Sequence, residues 1–179
     1  MKLTNAQATE KYPEIKFCGK KTYYVAPDAV IESGVVIESS TVIGPGAVIR
    51  ADAVIESGAV IRPSAVIGTG AVIESGAVIG TGAVIESGAV IESGAVIELG
   101  AVIGSGRKGV KNTLVLNGLG ETQMTVHDSE DGLVIVIGCL NDYKGVSLEA
   151  AKTAISKKYP DSHPYFAALK LAQDWYESL

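Results

Sequence analysis

Two histidines, two cysteines and one evenly spaced set of glutamates are where this sequence could do chemistry. His127 stands before "DSEDG" and His163 before Pro164. Zinc catalysis uses three protein ligands and an open position, and two histidines 36 residues apart fall short of that. Both read better as surface or capping residues. Cys139 would act as a nucleophile only beside a base that takes its proton. It follows the apolar run "LVIVIG", which suits a packed thiol. Cys18 lies far from it, and the pair makes no metal spacing. No Gly-x-Ser-x-Gly elbow occurs, and no phosphate loop ends in Gly-Lys-Ser/Thr. Glu38, Glu56, Glu74 and Glu92 are spaced by 18 and belong in one column. Adjacent like charges are mildly destabilising. A hard cation such as calcium takes carboxylate oxygens, so the column is a candidate cation ladder, the plainer reading being solvated glutamates. The residues therefore assign no catalytic group, no cofactor and no metal beyond that column.

The elements that must position these groups follow from a repeat. "GAVIESGAVIESGAVIELGAVIGSG" fills residues 82–106, and the same six-letter unit runs without insertion through 14 hexads, 25–108. A six-residue period cannot build a helix, because successive isoleucines would circle the axis and leave no apolar stripe. It suits a short strand, Ala-Val-Ile-Glu, and a corner at Ser-Gly. Val and Ile favour a pleated surface, and Gly supplies corner angles that a Cβ hinders. Residues two apart share a face, so Ile and the Ala two before it point inward, and Val points outward. Three strands and three corners close a triangular turn of 18 residues. Residues i and i+18 then stack about 4.8 Å apart in parallel sheets, giving about 4.7 turns. Stacked repeats of this kind need caps at both ends.

"DAVIESGVVIESSTVIGPGAVIRADAVIESGAVI", residues 28–61, resembles the hexapeptide-repeat proteins, whose fold is a left-handed parallel β-helix. The resemblance, not the spacing, implies the left hand. Many members of that family are acyltransferases that use a histidine near a corner as general base and bind acyl-CoA between subunits of a trimer. Gamma-type carbonic anhydrases on the same fold hold zinc with three histidines. No histidine lies between residues 25 and 108, so neither motif carries over. The near-recitation from Gly70 to Gly106 also reads as an engineered or consensus-idealised solenoid. The expectation is a mainly β, non-catalytic structural or scaffold solenoid, not an enzyme, that self-associates as a trimer and has no small-molecule substrate. The alternative is a hexapeptide-family acyltransferase with an atypical site, its base His127 from the tail. Ordered threonine arrays, which an ice-binding face would want, are absent: the repeat holds only Thr41, Thr69 and Thr81.

The domain plan has four parts: an N-terminal cap over 1–24, the solenoid over 25–108, C-terminal strands with a hairpin over 109–145, and a helical tail over 146–179. Thr4 or Asn5 is expected to cap a short helix ending near Lys11. "IKFCGKKTYYV" leads into the solenoid as a strand, and "RKGVK" at 107–111 reads as a solvated exit. "TLVLN", "QMTVHD" and "LVIVIGCL" read as strands, the last two joined at "DSEDG". Ser147 suits an N-cap, with Leu148, Ala151, Ile155 and Tyr159 on one face of a helix stopped by Pro160. Pro164 opens a second helix with Leu169, Ala172, Tyr176 and Leu179 as its apolar stripe and Trp175 as a packing anchor. A formal charge of −5 argues against a nucleic-acid partner. With no long apolar run and no signal-peptide core, a cytoplasmic protein is expected. The outward valines, Val36 through Val102, form apolar strips suited to association, least obstructed on the face carrying Gly44 and Gly80.

Overall fold

A computed structural model describes residues 2–3, 7, 10–12, 16–18, 23–116, 124–130, 132–137 and 146–179. Most hexads form a two- or three-residue strand over the Val-Ile pair, and the strands pair in parallel with a register of 18. Val66 aligns with Val48 and Val84, Val72 with Val54 and Val90, and Val78 with Val60 and Val96. Three columns of strands result, one per side of the prism. Backbone hydrogen bonds step from coil to coil, as from Val54 N to Ala71 O at 2.9 Å and from Glu56 N to Ile73 O at 2.9 Å. The interior is a ladder of Ile and Ala, among them Ile49, Ile55, Ile61, Ile67 and Ile73 with Ala47, Ala53, Ala59 and Ala65, all fully buried. Each isoleucine withdrawn from water contributes about 1.5–3 kcal/mol, and the uniform rungs let every coil stack on the next without a void-making size change.

Corners show why glycine recurs at one place. The second corner residue has positive φ, as at Gly58 (75°) and Gly76 (72°), a region L side chains enter reluctantly. Three corners reach it without glycine: Ser40, Asp52 and Ser64 at 58–66°. The corner at Gly94 keeps this geometry (φ 70°), and the pairing of Val110–Leu116 with both neighbouring coil strands joins them into one run, Val90–Ile97, that serves two faces.

Both ends are closed. Lys2–Leu3 pairs antiparallel with Tyr23–Tyr24, and Lys16–Cys18 extends one face beside Val36–Glu38. The expected cap of Thr4 or Asn5 lies outside the described residues. At the other end the exit segment is not solvated as expected: Val110 is buried and begins the strand Val110–Leu116, which lies on Val90–Ile97. That strand pairs antiparallel with Met124–His127, which pairs with Val134–Ile137 around the turn at "DSEDG". The two helices, Leu148–Lys158 and Pro164–Glu177, pack on the outer side of this sheet in a second core that includes Met124, Val126, Ile135, Ile155 and Leu169. Ser147 caps the first helix, accepting from Ala150 N, and His163 caps the second. Trp175 packs against that core, but Tyr176 and Leu179 are exposed. The second helix turns its buried side through Tyr165, Ala168, Leu169 and Ala172, and its last turn borders the hairpin turn. No helix among the described residues is long and apolar enough to cross a membrane.

Candidate functional site

The glutamate column forms as spacing requires, but its carboxylates do not meet one another as a bare ladder. Glu56 Oε2 accepts from Ser75 N at 3.1 Å and Ser75 Oγ at 3.0 Å. Glu74 does the same with Ser93, and Glu38 accepts from Ser57 Oγ at 3.1 Å. Each of these glutamates thus reaches one residue past its stacking partner to the corner serine of the next coil, and Glu56 and Glu74 also hold its amide. Glu86 repeats this with Ser105 on another face. Glu92 has Lys111 in the corresponding place and forms an ion pair at 3.0 Å. Among the described residues no three His, Cys, Asp or Glu side chains are grouped so as to hold a metal ion. The recurring Glu–Ser spacing of 19 was present in the sequence and is the signal that could have revealed these contacts.

His127 is neither a surface nor a capping residue. Its side chain is fully buried, on the side of the sheet that faces the last coil of the solenoid. Nδ1 lies 3.2 Å from Asp128 O, which only accepts, so Nδ1 carries the proton and Nε2 presents a lone pair. Among the described residues Nε2 has no hydrogen-bond partner. Burial lowers the imidazole pKa to about 4; the nearby Arg107 charge adds to this, and the bond to Asp128 opposes it. A neutral ring sealed in this way cannot reach a substrate while the sheet sits on the solenoid. His163 is a cap as expected: Nδ1 accepts from Tyr165 N at 3.4 Å, between the rings of Tyr159 and Tyr165. Cys18 is a free, half-buried thiol, and Cys139 lies outside the described residues.

The ionisable groups that do converge border a cleft of about 500 Å³ where the solenoid, the hairpin turn and the last helix meet. Glu92, Lys111, Asp128, Glu130, Tyr176 and Leu179 line it. Asp128 is committed to structure: Oδ1 accepts from Lys111 N and Asn112 N, and Oδ2 from Asn112 Nδ2. Glu92 raises the pKa of Lys111 through their hydrogen bond and charge, so the ammonium stays charged at neutral pH. Gly109 keeps the floor open, since a Cβ there would sit 2.6 Å from Glu130 Cγ and 3.1 Å from Glu92 Oε1. Sequence reading missed this cleft because its walls come from residues 92, 109–111, 128–130 and 176–179, with no shared motif.

Residues 46–81 match the sequence model described as bacterial transferase hexapeptide (six repeats). The matched repeat and the parallel solenoid decide the family. The chain is a hexapeptide-repeat protein. Solved structures of similar architecture include a perosamine N-acetyltransferase of Caulobacter crescentus in complex with CoA and GDP-perosamine. It is 21% identical over 52% of this chain and 47% of that one, with a TM-score of 0.40. Another is the acetyltransferase domain of PglB from Neisseria gonorrhoeae in complex with acetyl coenzyme A, 20% identical over 60% of each chain, TM-score 0.31. A third is a hexapeptide transferase family protein of Anaplasma phagocytophilum, 20% identical over 55% of this chain and 76% of that one, TM-score 0.21. The hexapeptide-repeat chain thus spans under half the length of the first and three fifths of the second. No curated protein matches it. The match to a transferase repeat overturns the expectation of a non-catalytic scaffold that is not an enzyme, and with it the expectation of no small-molecule substrate.

Proposed function

We propose that this hexapeptide-repeat chain is an acyltransferase that takes its acyl group from a CoA thioester, with the reaction centred in the cleft of Glu92, Lys111, Glu130 and Tyr176. The observation that carries this reading is the match of residues 46–81 to the bacterial transferase hexapeptide. The cleft supports it chemically. An acceptor amine or hydroxyl attacks the thioester carbonyl, the C–O bond polarises, and the C–S bond then breaks. The Lys111 ammonium and the Tyr176 hydroxyl, which both line the cleft, are the donors available for charge developing on the carbonyl oxygen. The Glu130 carboxylate takes the proton from the acceptor and returns it to the departing thiolate. His127 has no part in this scheme, because its ring is sealed beneath the sheet.

The test follows thiol release from acetyl-CoA with a panel of amino sugars and simple amines, together with calorimetric titration of acetyl-CoA. Saturable binding and release are expected. Glu130→Gln is expected to lower kcat by about 100-fold, the scale of one general acid–base group, and Lys111→Met to weaken donor binding. Absence of both binding and release across the panel would refute the proposal.

A further inference from the structure

The charges that border the cleft do not balance. Glu92, Asp128 and Glu130 bring three carboxylates to it, and among the residues that line it only Lys111 brings an ammonium. Lys111 is committed to Glu92, with 3.0 Å between Nζ and Oε2. The groups that donate to Asp128 are Lys111 N, Asn112 N and Asn112 Nδ2. These are neutral amides, which fix a carboxylate without cancelling its charge. Among the described residues the Glu130 side chain has no hydrogen-bond or ion-pair partner, although its backbone amide donates to Lys108 O at 3.0 Å. The cleft therefore keeps two carboxylate charges, on Asp128 and Glu130, that no cation lining it is paired with.

Gly109 marks where a cation fits. The point its Cβ would take lies 2.6 Å from Glu130 Cγ and 3.1 Å from Glu92 Oε1. Glu92 meets Lys111 through its other oxygen, Oε2. Oε1 and the Glu130 side chain thus face one small space, and glycine leaves it open. At the rim, Leu179 lines the cleft and is 62% exposed. Its side chain is free to be recharged without disturbing the core.

We propose that the acceptor taken by this cleft is a small alkyl diamine with a positive charge at each end. The inference rests on the acyltransferase reading above and names its acceptor class. One ammonium sits over Gly109 between Glu92 Oε1 and Glu130, and the other answers the charge of Asp128. The nitrogen beside Glu130 loses one proton to water and attacks the thioester carbonyl as a neutral amine. The C–N bond forms, the C–S bond breaks, and the second proton passes through Glu130 to the thiolate. The products are a mono-acylated diamine, the CoA thiol and one proton in water. Acylation removes one of the two positive charges, so the product binds less tightly than the substrate and leaves. The same two carboxylate charges repel an acceptor that carries phosphate or carboxylate.

The test measures binding without acetyl-CoA, by calorimetric titration of the full chain with putrescine, butylamine, butanediol and glucosamine phosphate. Putrescine is expected to bind about fivefold more tightly than butylamine, the scale of one exposed ion pair, and to lose that advantage in high salt. The diol and the phosphate are expected to bind weakest. Leu179→Lys is expected to raise the putrescine Kd about threefold and Leu179→Glu to lower it about threefold. Shifts of opposite sign are not what a disturbed fold gives. With acetyl-CoA added, putrescine is expected to release thiol and to gain a single acyl group by mass spectrometry. Putrescine no tighter than butylamine, a Kd that both rim variants leave unchanged, or a preference for glucosamine phosphate would each overturn the proposal. Putrescine binding without thiol release upholds the dication site and counts against acyl transfer, whereas thiol release to neutral acceptors alone does the reverse.

Discussion

Within the solenoid, the amide of Val72 passes its hydrogen bond to Ala89 O, one coil on, at 2.9 Å. At the end of the stack there is no next coil. There the amide of Val102 goes to Thr125 Oγ1 at 3.2 Å, and that of Glu98 to Thr113 Oγ1 at 2.8 Å. Both regions meet the same requirement, that buried backbone donors find acceptors. The repeat meets it by self-similarity, and the cap by particular side chains. The difference explains where variety is tolerated. An interior coil is fixed by its neighbours on both sides, and one rung is as good as another. The cap sees a coil on one side and helices on the other, so it must be built once, from non-repeating residues. Its irregularity is also what gathers Glu92, Lys111, Glu130 and Tyr176 around one cleft.

The largest expected effect tests how far the repeat shares load. Ile73→Ala removes a fully buried rung from the middle of the ladder, with an expected loss of about 4 kcal/mol from transfer and cavity terms. Ile135→Ala in the cap core, equally buried, is expected to cost a similar amount. Hydrogen exchange separates them: the first opens coils on both sides of the lesion, and the second opens the sheet and helices while the central coils stay protected. If both variants open the whole chain together, the two regions are a single cooperative unit.

Mild acid acts on the cap through His127. His127 titrates at about 4 in the folded chain against 6.5 unperturbed, so between those values the unfolded chain binds more protons. Stability from this group is complete above pH 6.5, falls as pH drops from 6.5 towards 4, and levels below that, by about 3 kcal/mol in all. Urea midpoints measured across this window are expected to fall in the wild type and to change less in His127→Gln. Equal slopes in the two proteins would show that the ring is not the group responsible.

These two regions were unequally legible in the sequence. Periodicity put Ile and Ala inside, gave the register of 18, and marked Ser147 and Pro160 as helix limits, because each of these is a local or repeating property. The burial of His127 had no such signal: it depends on a strand folding back over a coil that ends about 20 residues earlier. The cleft was invisible for the same reason, its walls being distant in sequence. The glutamates were half legible. Their column follows from the period, but the hydrogen bonds that settle Glu38, Glu56 and Glu74 on the next coil's serine come from the right-sized reach of a side chain across one strand spacing.

A threonine tests the cap's solution directly. Thr125→Val keeps the shape and removes the acceptor for Val102 N. A partly buried amide left without a partner costs about 2 kcal/mol. The urea midpoint is expected to fall by that amount, with faster exchange of the Val102 amide. No change would mean that water reaches the seam and replaces the hydroxyl.

The smallest effect has the most informative sign. Within the column, like charges stand one strand apart, which taken alone favours removing one. Against this, Glu74 Oε2 accepts two hydrogen bonds from Ser93, at 3.0 and 3.2 Å. Charge-assisted bonds outweigh repulsion that water and salt screen. Glu74→Gln keeps an amide oxygen to accept but loses the charge, and is expected to lower stability by about 0.5 kcal/mol, with a smaller loss in high salt. A gain in stability would reverse the reading. It would mean that the column is tolerated for solubility, and that the corner serines are bystanders rather than the device by which each coil fastens to the next.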